Sequence, residues 1–265
     1  MSRLATLGLV AGLLVIGGAQ AQRAAAPADP RSRAPVDLTG YWVAVVTEDW
    51  RYRMMTPDKG DFTGVALNAA GRALMQKWDP SKDQASGEAC RAYGAAAIMR
   101  APTRLHITWQ DTGTLKVDTD AGEQTRLLHF AGPPAPATTA SWQGYSTAQW
   151  EGMRAGRGGG GGVTAGLPTT TGLGGSAPPP TQDGYLKVMT SQLRPGYLRK
   201  NGVPYGANTT VEEYFDSFHE LNGDTWLVVT SVVTDPEYLD QPFMTSSQFK
   251  KTDAAKWSPT PCEAR

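Results

Sequence analysis

Three features of the sequence predict a mostly-β chain folded as a single antiparallel barrel or sandwich. Short β-branched and aromatic runs recur from Asp37 onward, Gly/Asp turns separate them, and one short segment alone shows a helical period. One helix followed by many short strands points away from alternating β–α units.

The chain opens with Arg3, the apolar run "LATLGLVAGLLVIGGA" and the small-residue stretch "AQA" at Ala19–Ala21. This is the pattern of a signal peptide over residues 1–21, cleaved after Ala21. The apolar run falls short of the roughly 20 residues that a membrane span requires. Residues 22–36 read as a flexible Pro/Ala-rich arm, and residues 37–265 as one β-rich domain.

"YWVAVV" opens the strand series. In "RLHITWQ", Leu105, Ile107 and Trp109 share one face, with Arg104, His106 and Thr108 on the other. "TLKVDT" and "TRLLHF" follow after short turns, and together the three runs read as an antiparallel meander. "GYLKVMTSQL", "TTVEEYFDSFHEL" and "TWLVVTSVVT" supply later strands, the last two joined through "NGD". The helix candidate is "NAAGRALMQKW", with Asn68 as N-cap and Leu74, Met75 and Trp78 as its stripe. Residues 153–184 are rich in Gly, Pro and Thr, a composition expected to form a long disordered loop inserted at a surface turn between Trp150 and Tyr185.

Charge is balanced, with 25 basic and 25 acidic residues, and there is no basic stripe of the kind nucleic-acid binding demands. With no second long apolar segment, stable membrane insertion after signal cleavage is not expected. The two cysteines, Cys90 and Cys262, suit an exported protein with one disulfide. Neither a dinucleotide fingerprint nor a phosphate loop is present, the three histidines lack metal-ligand spacing, and no cofactor or metal is expected.

Ser146 sits in Gly144-Tyr-Ser-Thr-Ala148, which lacks the final glycine and following helix of a nucleophile elbow and reads as a structural corner. Aromatics beside fixed charges offer a better candidate for a binding surface. Trp142, Tyr145, Trp150 and Glu151 form one group, "RPGYLRKNGVPYG" adds Arg199 and Tyr205, and "YGAAAIMRAPTR" adds Arg100. Arg126 alternates with Leu128 and Phe130, placing a guanidinium on an apolar face, where Glu151, Glu213 or a ligand anion could meet it. The ligand-binding candidates are therefore Arg100, Arg126, Trp142, Tyr145, Trp150, Arg199 and Tyr205. Glu151, Glu213 and His106 are candidates for acid–base chemistry.

In their order, "DLTGYW", "CRAYGAAAIMR", "WQGYSTAQWEG", "NGVPYG" with "VEEYF", and "DPEYLDQPF" resemble a broad group of exported bacterial β-rich proteins without an established reaction. The opening "DLTGYW" also resembles the start of a lipocalin-type barrel, which implies that Gly-x-Trp closes one barrel end. The expected role is an exported, periplasmic or secreted protein that binds a small amphipathic or anionic molecule. The rivals are an enzyme acting on such a molecule by acid–base chemistry and an envelope structural protein without a ligand.

Overall fold

The computed structural model describes residues 29–130, 140–152 and 184–264. The expected signal peptide, residues 22–28 of the Pro/Ala-rich arm and nearly all of the glycine loop lie outside the described residues. Nine strands close into a barrel: β1 (Gly40–Val45), β2 (Arg104–Asp111), β3 (Thr114–Thr119), β4 (Thr125–Phe130), β5 (Tyr145–Glu151), β6 (Tyr185–Ser191), β9 (Thr210–His219), β10 (Thr225–Thr234) and β11 (Phe243–Thr252). The remaining two strands, β7 (Gly196–Arg199) and β8 (Val203–Tyr205), form a separate hairpin. The mostly-β, lipocalin-like barrel expected from the sequence is the fold observed.

Antiparallel pairing runs round the barrel except between β4 and β5, which are parallel, with Leu128 opposite Ser146 and Phe130 opposite Ala148. The connection from Phe130 to Tyr145 therefore joins opposite ends of the barrel. The expected meander is β2–β3–β4. β5 and β6 pair from Tyr145–Ser191 to Glu151–Tyr185, so the glycine loop is inserted in a hairpin.

Alternate residues of each strand point inward and fill the interior. Trp42, Leu105, Ile107, Val117, Leu128, Leu186, Val188, Phe215, Leu227, Val229 and Phe249 are all fully buried. Each large side chain of this kind contributes about 1.5–3 kcal/mol relative to exposure. Trp42 is held in place by polar contacts: its Nε1 donates to the Leu38 carbonyl at 2.9 Å, and Lys251 Nζ lies 5.2 Å from the ring centroid.

Segments 46–103, 192–209 and 235–242 cover the end of the barrel where β1, β6 and β10 finish. They carry α1 (Trp50–Arg53), α2 (Ala69–Met75), α3 (Pro80–Ala85) and the β7–β8 hairpin. Asn68 caps α2 as expected, accepting from Gly71 N at 2.9 Å, but the stripe divides: Met75 is buried and Leu74 is exposed. Cys90 and Cys262 form the expected disulfide, Cα–Cα 5.1 Å, which ties the C-terminal tail to this cap.

Candidate functional site

The candidates read from the sequence do not gather in one place. Arg126 on β4 points into the barrel and meets Glu213 on β9 through two hydrogen bonds, with Nη1–Oε1 at 3.0 Å. Its Nη2 also reaches Thr190 Oγ1 at 3.3 Å, and that hydroxyl lies 2.7 Å from Ser146 Oγ. Arg126 is 1% exposed and Glu213 0%, so four strands meet at one closed polar network. Ser146 belongs to that network and is no nucleophile elbow. The corner before it is set by Gly144, whose φ of +61° and contact with the Ser191 carbonyl leave no room for a Cβ.

The group Trp142–Tyr145–Trp150–Glu151 is divided, because β5 carries Tyr145 and Glu151 to opposite ends, about 20 Å apart at strand rise. Trp142 stacks under Arg194, with Cζ 4.3 Å from the ring centroid. Trp150 Nε1 donates to the Pro30 carbonyl, and Glu151 accepts from Tyr185 Oη at 3.0 Å. His106 stacks on Tyr41 and His129 on Tyr145. Glu151, Glu213 and His106 thus stand on three different strands, in three separate settings. Among the described residues no group of three His, Cys, Asp or Glu side chains is placed to hold a metal.

Tyr205 is buried behind a cleft of about 430 Å³ between α2, α3 and the β7–β8 hairpin. Nearby, Tyr197 Oη donates to Asp83 Oδ2 at 2.8 Å, and Arg91 Nη1 reaches Asp83 Oδ1 at 2.9 Å. Burial, opposed by Arg91, pushes the Tyr197 hydroxyl up to about 12. These three groups satisfy one another.

The remaining two candidates, Arg100 and Arg199, come together with Arg53, which the sequence reading missed. Arg100 ends the 3₁₀ turn Ile98–Arg100, Arg199 ends β7, and Arg53 ends α1. All three are buried, at 6%, 4% and 8% exposed. Phe243 holds two of them, with Arg100 Cζ 5.2 Å and Arg199 Cζ 5.8 Å from its ring centroid, while Arg199 also lies 4.3 Å over Tyr52. Their hydrogen bonding is sparse. Arg53 Nε donates to the Arg100 carbonyl at 2.8 Å, Arg199 Nη1 to the Thr63 carbonyl at 2.9 Å, and Arg100 Nη2 to Asp49 Oδ2 at 3.1 Å. Among the described residues, Arg53 Nη1 and Nη2 and Arg199 Nε are buried without any acceptor.

The electrostatics follow from that geometry. Burial lowers the affinity of all three guanidinium groups for their protons, and Arg100 falls to about 10 under burial and the charge of Arg199. For Arg100 the displacement from 12.5 corresponds to about 3 kcal/mol of unfavourable charge burial at neutral pH. Among the described residues, the one carboxylate that touches an arginine here is Asp49, whose side chain is half exposed. Asp49 also adopts φ +52°, a left-handed conformation that non-glycine residues seldom take. Beside Arg53 and Arg100 opens a cleft of about 420 Å³, completed by Glu48, Asp49 and, from β10 and β11, Thr230, Met244, Thr245 and Ser246. That volume falls in the range of small-molecule sites. Chemically, the place offers two guanidinium groups, N–H donors without an acceptor and flanking hydroxyls, beside the carboxylates of Glu48 and Asp49.

No protein-family model matches the chain, and neither a curated protein nor a solved structure does.

Proposed function

We propose that the protein binds a small anionic molecule outside the barrel, in the cleft bounded by Arg53 and Arg100. One observation carries this reading: the Arg53 guanidinium is buried and both its Nη atoms lack an acceptor. An unpaired buried charge is costly, and native proteins meet that cost with a carboxylate or with a ligand. Arg126 shows how this chain pairs the charge of a buried arginine that is purely internal: both Nη atoms reach Glu213, and Nε alone lacks an acceptor. Arg53 has no such partner. The chain's charges sum to zero, so the cluster is not a by-product of a generally basic composition.

Access depends on α1. It is a single helical turn whose N-cap makes no side-chain hydrogen bond. An anion that reaches the Nη atoms receives charge-assisted hydrogen bonds from Arg53 and Arg100. Arg199 adds field from behind Phe243.

The Cys90–Cys262 disulfide fits an oxidising, exported compartment. Within this proposal the mature protein is periplasmic or secreted and begins at Gln22, which the intact mass of exported protein tests. The binding reading is tested by mass spectrometry of small molecules retained through purification. An acidic compound is expected at near-stoichiometric level in the wild type and is lost in Arg53→Met. Equal retention by the two proteins would contradict the assignment.

A further inference from the structure

We infer that the anion is amphipathic, a long-chain monocarboxylate whose tail lies along an apolar track leading away from Arg53; this rests on the binding reading above. Among the exposed large hydrophobics of the described residues, four belong to this one neighbourhood. Trp50, Met54 and Met55 flank Arg53 in sequence and are 58%, 56% and 64% exposed, and Met244, 67% exposed, lines the arginine cleft itself. Single exposed apolar residues need no explanation, but a group gathered beside a buried charge marks a binding surface.

The track has a destination. Met54 also lines a second cleft, of about 300 Å³, with Val43, Ala44, Val46 and Pro102, and with Thr103 and Arg104 at its polar side. Met54 follows Arg53 directly, so a molecule whose head meets Arg53 can lay its tail over Met54 into that cleft. Methionine suits such a surface, since its unbranched thioether adapts to chains of different shape.

Charge selects the head group. Arg53 and Arg100 supply two guanidinium groups, and Glu48 and Asp49 stand in the same cleft. A planar carboxylate with one negative charge matches a guanidinium in bidentate fashion. A phosphate dianion would place its second charge against Glu48 and Asp49. The barrel interior, filled by Trp42, Phe215, Phe249 and their neighbours, plays no part in this site.

The experiment is calorimetric titration of the full exported chain at low salt with butanoate, octanoate, decanoate and decanol, each below its aggregation threshold. The proteins compared are wild type, Arg53→Met, Arg53→Lys and the double variant Met54→Ser/Met55→Ser, each first shown to melt cooperatively. In the wild type, affinity rises with chain length by up to about fourfold for each methylene that becomes buried, and decanol binds at least tenfold more weakly than decanoate. The double variant keeps the wild-type affinity for butanoate and loses the rise with chain length. Arg53→Met loses all the carboxylates, and Arg53→Lys recovers part of the binding. If butanoate binds through Arg53 and decanoate binds no more tightly, the tail inference fails while the anion site stands. If decanoate binds wild type and Arg53→Met alike, or no carboxylate binds at all, the anion site itself is refuted.

Discussion

Replacing Arg126 by methionine isolates the energetics of the barrel's polar network. The substitution keeps much of the side-chain volume but removes both hydrogen bonds to Glu213, which is 0% exposed. Glu213 would then be a carboxylate enclosed among barrel side chains, with Thr190 and Ser146 as the neighbouring hydroxyls. Removing one partner of a buried ion pair costs about 3–5 kcal/mol. For a chain of this size each kcal/mol lowers the melting temperature by about 2–4 °C, so Arg126→Met should melt roughly 6–20 °C lower. Urea denaturation followed by tryptophan fluorescence gives the free energy, and calorimetry gives the melting temperature. The double variant Arg126→Met/Glu213→Leu removes both charges and should recover most of the loss, because an apolar pair is often as stable as a buried ion pair. Ligand retention should be unchanged in the double variant. A stable single variant, or a double variant no better than the single, would refute the view that Glu213 is the group Arg126 serves.

Anion binding should hold steady from pH 7 to 9 and weaken as pH rises through about 10, because Arg100 loses its proton there and the anion then meets a neutral group; pH-resolved titrations check this, and an affinity that rises across that window would contradict it. Cys262→Ser frees the C-terminal tail from Cys90, 172 residues away in sequence, and should cost about 2–5 kcal/mol in a reversible denaturant titration, with the loss cut short if the tail contributes nothing to the cap. Replacing residues 156–180 by a short Gly/Ser linker should leave the melting temperature within a few degrees of the wild type, since the Glu151–Tyr185 pairing that closes the β5–β6 hairpin lies outside the replaced stretch. A large drop would show that the segment packs on the barrel.

How much of this was legible in the sequence depended on how local the signal was. β2, β3 and β4 alternate cleanly and are parted by tight turns, so their inward faces could be read directly. β11 escaped, because "FMTSSQFKKT" combines serines, threonines and adjacent lysines, and its inward Phe243, Ser247 and Phe249 show no continuous apolar face. In sequence β5 reads as an aromatic corner, since Tyr145, Trp150 and Glu151 are close together. Strand geometry carries that closeness along the whole barrel. The parallel β4–β5 pairing has no sequence signature at all.

The site divides in the same way. Arg126 was recognisable from its place among Leu128 and Phe130, and Glu213 was one of three partners the sequence allowed. Arg100 and Arg199 were legible as arginines within aromatic, Gly/Pro-structured segments. Arg53 was not, because "EDWRYRMM" shows no period, and the burial of Arg53 depends on contacts with Arg100, 47 residues away. The excess of apolar and cationic residues in that stretch was the available clue. Convergence of Arg53, Arg100 and Arg199 is a property of the cap, assembled from three separate segments.

The most direct test of the anion site is side-chain NMR of protein labelled with ¹⁵N at its arginines. The Arg53 and Arg100 resonances, assigned through Arg53→Lys and Arg100→Lys, are followed while decanoate is added at pH 6. The account predicts that both signals shift together along one saturating curve, with slowed exchange of the Arg53 Nη protons, while the Arg126 signal stays fixed. Shifts confined to exposed arginines such as Arg51, or an Arg53 signal that does not respond at saturating ligand, would contradict it.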